Sequence, residues 1–190
     1  MGTTFVSNAK TRNFLVKCHL WAAGLLAPLF ILVAYTGAAY LLDFKGEVVE
    51  TALTVPEGTV LDQESATVED DVRAVLAANN LETGFDYLRM RPGSITTRPT
   101  SRDFVVLEEG DEGQWSATLN QPDLQYSLIE LHKGHGPQIY RYYQILAAVV
   151  LFLVVLGGLL VGFLAPAYRK ATGTALAAGT VVFALLAFVF

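Results

Sequence analysis

The chain has 190 residues, 53% of them hydrophobic, and a mean hydropathy of +0.42, against roughly 45–50% apolar residues in soluble domains, so it is not a single water-soluble globule. A single cysteine excludes an intramolecular disulfide framework. The formal charge of −10 over residues 43–141 argues against nucleic acid or anionic lipid as a partner of that region.

The N-terminal segment, residues 1–13, carries Lys10 and Arg12 and no acid, and Lys17 follows shortly after. From Leu20 to Leu42 no residue bears a formal charge, and about 20 apolar residues suffice to cross a bilayer core. This predicts a first membrane helix over 14–42, beginning near Asn13 or Phe14. Its apolar run exceeds the 7–15 residues of a signal-peptide core, so it reads as a span rather than a cleaved leader. Pro28 lies mid-span, with Trp21 at one interface and Tyr35 and Tyr40 at the other. Cys18 reads as a small residue at the membrane boundary.

Residues 43–138 have the makeup of a folded soluble domain. All eighteen acidic residues fall between Asp43 and Glu130, and against the eight lysines and arginines of residues 43–141 they leave a formal charge of −10. The acids read as a solvated face. Val48 to Val60 reads as a strand or extended linker. Ser65 or Thr67 can cap a helix whose first turn holds Glu69, Asp70 and Asp71, whose apolar face is Val68, Val72, Val75 and Leu76, and whose stop is Asn79-Asn80. Extended segments follow over Phe85–Arg91, Ser94–Arg98, Asp103–Glu109 and Gln114–Leu119, with Pro92-Gly93 and Gly110–Gly113 as turns. The prediction is one helix on a small antiparallel sheet. Leu131 to Pro137 reads as a loop, with Tyr140, Tyr142 and Tyr143 as an aromatic belt.

Ile145–Ala165 and Ala171–Phe190 are uncharged, which predicts spans over 139–168 and 171–190. Arg169 and Lys170 between them are basic without an acid. The positive-inside rule therefore puts the N-terminus and this turn in the cytoplasm, and residues 43–138 with the C-terminus outside. Gly157, Gly158 and Gly162 form a small-residue face for helix packing, against this chain's own helices or in a dimer.

The layout resembles the PepSY-associated transmembrane (PepSY-TM) family. The resemblance rests on His19, Trp21 and Gly24, then Thr36-Gly37, then Leu131-His132-Lys133-Gly134, then the Gly157-Gly158 helix, in order along nearly the whole chain. It implies an α-helical membrane protein of three transmembrane helices in the bacterial inner membrane, with an inserted α+β PepSY-like periplasmic domain. It also implies one of two functions. Some longer family members are b-haem reductases that release iron from siderophores, with membrane histidines as ligands; others are accessory or regulatory proteins without chemistry of their own. This chain is a short member, and the accessory role is the expectation, with an inner-membrane protein complex or a homodimer as partner. The alternative is a haem b component of ferric-siderophore reduction using His19, His132 or His135. A tethered protease inhibitor is a third reading.

The chemistry of those histidines can be weighed from position. The first span separates His19 from His132 by roughly 30 Å, so the two cannot clamp one iron. His132 and His135, three residues apart beside glycines, are poorly placed to reach opposite faces of a porphyrin, so haem requires a dimer, a partner subunit or a five-coordinate site. Otherwise His19 is an interfacial imidazole, and His132 and His135 belong to a polar loop that packs the domain onto the membrane surface. No metal site is expected, and no nucleophile, phosphate-loop or zinc motif stands out.

Overall fold

The structure, a computed structural model, describes residues 9–189 apart from Thr83 and Glu112. Residues 1–8 of the expected cytoplasmic segment and Phe190 of the expected third span lie outside the described residues.

Among the described residues, three helices are long and apolar enough to cross a membrane. Helix α1 spans Ala9–Leu41, α4 spans Gln138–Leu164 and α5 spans Arg169–Phe188, and mean hydropathies of 1.8, 3.0 and 1.8 mark their apolar stretches. Helix α1 is already formed at Ala9, before the expected start at Asn13 or Phe14, and runs through Pro28. Helix α4 stops at Leu164 rather than 168 because Pro166 follows, and a residue preceding proline is pushed out of the helical region. The chain then turns through Tyr168, and α5 starts at Arg169.

The chain divides into two units, one of the first part of α1 with Ile145 onward, the other of Ala27–Gln144. In the first, α4 and α5 form a hairpin. Arg169 Nε donates to the Phe163 carbonyl at 2.9 Å, tying the turn shut. A methyl group at Gly162 would collide with the Thr172 side chain, so glycine lets α5 approach α4 there, whereas Gly157 and Gly158 meet nothing within 4 Å.

The second unit holds a five-stranded antiparallel sheet: β1 (Val48–Leu53), β2 (Tyr87–Arg91), β3 (Ser94–Arg98), β4 (Phe104–Glu109) and β5 (Trp115–Pro122), in the order β1-β5-β4-β3-β2. Strands β2 to β5 run as a meander, and Gly93, at φ 70°, makes the tight turn between Arg91 and Ser94. Helix α2 (Val68–Ala78) connects β1 on one edge with β2 on the other. Its expected face is the core: Val68, Val72, Val75 and Leu76 are buried against Ile95, Val105, Leu107 and Ala117. At one end Thr67 is itself helical and makes no side-chain cap, while the Ser65 hydroxyl accepts the Thr67 N–H at 3.2 Å, and the three first-turn acids serve the positive end. At the other, Asn80 takes φ 55° while its N–H meets the Ala77 carbonyl and that of Leu81 meets Leu76, a Schellman stop with asparagine in place of glycine.

The four expected extended segments are strands β2 to β5. A second domain helix, α3 (Leu124–His132), is not in the sequence expectation, and it absorbs the start of what reads as a loop at Leu131. The domain therefore has two helices against its sheet, not one.

Candidate functional site

Helix α3 is fixed at both ends by local chemistry. Asp123 caps its start, accepting the Tyr126 N–H at 2.7 Å, while its carbonyl accepts the Ser127 hydroxyl at 2.7 Å. Gly46 lies against this cap at φ 80°, and a side chain there would run into the Asp123 carboxylate and the Tyr126 backbone nitrogen. At the other end Gly134 adopts φ 77°. Its N–H bonds the Leu131 carbonyl at 3.1 Å, and the His135 N–H returns to the Glu130 carbonyl at 2.9 Å. This second Schellman stop turns the chain after Lys133 and folds His135 back over Glu130.

Glu130 is the centre of the site. It is only 4% exposed, although an acid in this domain reads from sequence as part of a solvated face. Both carboxylate oxygens are taken. Oε1 accepts from Lys133 Nζ at 2.5 Å. Oε2 accepts from the Thr100 hydroxyl at 2.5 Å and from His135 Nδ1 at 2.7 Å. Behind them Arg98, itself buried, donates Nη1 to Thr100 at 2.8 Å and stands 3.7 Å from Oε2. Ile95 and Thr97 point to the α2 side of β3, so alternation sends Arg98 to the opposite face, where α3 lies. Arg98 Nε is buried and meets no hydrogen-bond partner among the described residues.

The electrostatics follow from this crowding. Burial pushes the Glu130 carboxyl up, but the hydrogen bonds from Lys133, Thr100 and His135 outweigh it and hold it below its ordinary 4.5. Burial pushes His135 below its ordinary 6.5 against the upward pull of its bond to Glu130, and the Arg98 charge adds to the downward push. At neutral pH His135 is thus an uncharged donor to a charged carboxylate, and the pair is a hydrogen bond rather than an ion pair.

The neighbouring histidine looks the other way. His132 Nδ1 lies 2.8 Å from the hydroxyl of Thr36, which is completely buried on α1. The Thr36 hydroxyl proton goes to the Leu32 carbonyl at 2.6 Å, leaving its oxygen as an acceptor. His132 therefore donates from Nδ1 to the Thr36 oxygen. Further bonds tie α3 to both adjoining helices. The Tyr35 hydroxyl on α1 donates to Gln125 at 2.8 Å, and Gln125 donates to the Phe44 carbonyl at 3.0 Å. Gln144 on α4 donates to the Leu131 carbonyl at 2.7 Å. Helix α3 is a strut, bonded to the sheet through Glu130 and to the ends of α1 and α4 through His132, Gln125 and the Leu131 carbonyl.

Two motif fragments far apart in sequence, Thr36-Gly37 and Leu131-His132-Lys133-Gly134, thus meet in space. Gly37 faces the His132 ring, but a methyl there would sit 3.5 Å from Cε1, an ordinary contact, so this approach does not demand glycine. His132 and His135 engage different partners, and His19 is exposed on the N-terminal part of α1 in the other unit. No group of three or more His, Cys, Asp and Glu side chains suited to a metal occurs among the described residues. Sequence reasoning missed Glu130, Thr100 and Arg98. The available signal was an acid set among Leu128, Ile129 and Leu131, with Lys133 three residues on.

Comparison of the chain with known protein families, with characterised proteins and with solved structures gives no match.

Proposed function

We propose that the chain is a membrane-anchored PepSY-like module of the bacterial inner membrane, acting through protein–protein contact at the periplasmic face as an accessory or regulatory subunit. The observation that carries this reading is the saturation of its polar centre. Both oxygens of Glu130 and the Nδ1 atoms of His132 and His135 are spent on this chain's own groups, and the bonds fasten a domain to helix ends rather than prepare a reaction. The charge distribution supports the orientation, with basic residues at one end of the spans and the acidic domain at the other. A helix laid across a small antiparallel sheet, and the meeting of the two motif fragments, support the family resemblance.

The contact surface is tested in native membranes by placing a photo-crosslinking residue at Val49, 63% exposed on the edge strand β1. A discrete adduct with one membrane or periplasmic protein, or with a second copy, is expected. Adducts with no defined product from β1, β2 and exposed α2 positions alike would contradict a contact role.

One observation favours a second reading, haem binding. A histidine that donates Nδ1–H to a fixed acceptor and leaves Nε2 free is in the form that ligates iron. Haem b would supply a reversible one-electron carrier. His132 would be the residue that holds the iron, while His135 is turned to Glu130.

A further inference from the structure

We infer that the base of the sheet domain carries a binding site for a phosphate-bearing anion, between β2 and the turn that follows α3. A recess of about 490 Å³ opens there, lined by Arg89, Lys133, His135, Arg141, Tyr87 and Gly134 among others, and no acidic residue lines it. In a domain of formal charge −10 over residues 43–141, a recess bounded by three permanent cations is a local inversion of sign.

The cations come from three separate elements. Arg89 stands opposite Thr96 in the β2–β3 register, so it shares the face of the sheet that holds Arg98. Lys133 is placed by the α3 stop, and Arg141 by the first turn of α4. Neither Arg89 nor Arg141 has an ion-pair partner among the described residues, and both are exposed. Of the nearby acids, Glu130 is buried behind Lys133 with the buried Arg98 offsetting its charge, and Asp86, next to Tyr87 in sequence, accepts the Gln138 N–H at 2.9 Å and stands 3.6 Å from Arg102. Two uncommitted guanidiniums and an ammonium around one recess suit a phosphate, whose oxygens accept bidentate bonds from arginine.

Arg141 stands four residues before Ile145, where the uncharged run of α4 begins. A helix crossing a bilayer from this point holds the recess at headgroup level, which favours the phosphodiester of an anionic lipid as the source. The site itself does not depend on the membrane orientation or on the contact role, and a soluble phosphate offers the same chemistry.

Native mass spectrometry of the full-length protein in neutral detergent, with phosphatidylglycerol or phosphatidylcholine added, tests the lipid source. Inorganic phosphate titrated against the His135 ring-proton signal tests the soluble one. A preference of about tenfold for phosphatidylglycerol is expected, the scale of one charge-assisted hydrogen bond. It should be lost in the Arg89→Gln/Arg141→Gln variant and weakened in each single variant, but kept in Arg91→Gln, which removes the same charge from the same strand outside the recess. Saturable phosphate binding with the same dependence on variants, without a lipid preference, would support the site with solution as its source. The inference is overturned if neither probe separates the double variant from the wild type, or if Arg91→Gln loses as much as Arg89→Gln.

Discussion

The two domain helices hold the sheet by opposite chemistry. Helix α2 lays four aliphatic residues on Ile95, Val105, Leu107 and Ala117, a contact without direction that any well-packed apolar set could make. Helix α3 reaches the other face through one buried carboxylate whose partners are each fixed in distance and angle. Apolar packing supplies stability, while a saturated polar cluster supplies a unique position at little net gain, since desolvation offsets its attraction. The chain uses the first to build the domain and the second to set that domain on the helices that carry it.

The largest effect should come from breaking the polar side. Glu130→Ala strands Arg98 and Lys133, and a buried pair that loses one partner costs about 3–5 kcal/mol. Unfolding of the full-length protein in detergent, followed by Trp115 emission in a Trp21→Phe background, measures this. Glu130→Leu with Arg98→Met, which removes both charges, should recover most of the loss; failure to recover it would mean that the cluster stabilises outright. On the apolar side, Leu107→Ala leaves a cavity at a fully buried position, for about 2–5 kcal/mol.

Acid separates the two faces more cleanly than size of effect. The folded state holds both His135 and Glu130 below their ordinary values, so the unfolded chain binds more protons and stability must fall as pH falls. The decline begins below the ordinary 6.5 of His135 and continues below the ordinary 4.5 of Glu130. Leu107→Ala should shift this profile down in parallel, whereas His135→Gln should flatten its upper part. An unchanged upper limb in His135→Gln would assign the decline to other groups.

Smaller effects probe the strut. Thr36→Val removes the acceptor for His132 and should cost about 1 kcal/mol, the ordinary worth of one hydrogen bond. Gly134→Ala forces a side chain into the φ 77° stop of α3, for roughly 1–2 kcal/mol. Faster hydrogen exchange in Leu131 to His135, with α2 unchanged, is the expected signature of both.

The apolar half of this architecture was legible from the sequence. Uncharged runs mark the three long helices, and the 3-4 spacing of Val68, Val72, Val75 and Leu76 marks the buried face of α2, because burial writes itself as periodicity. Helix α3 was hidden because its nine residues, Leu124–His132, give too short a pattern and its defining side chain is an acid. Composition assigns acids to water, and only the meeting of β3, Thr100 and the post-helix turn shows that Glu130 is not there. Likewise Thr36 and His132 are separated by 96 positions, and nothing in either segment alone announces the bond. Long-range polar pairs carry no period.

The central claim is that these histidines hold structure and that the chain works by contact. Its most direct test is a dithionite-reduced minus oxidised absorption spectrum of the full-length protein, purified in mild detergent after expression with ample haem, alone and with whatever co-purifies at native level. The account predicts a flat spectrum in both samples, with His132→Ala lowering stability and changing no absorbance. A b-type band that disappears in His132→Ala would contradict it and make electron transfer the function.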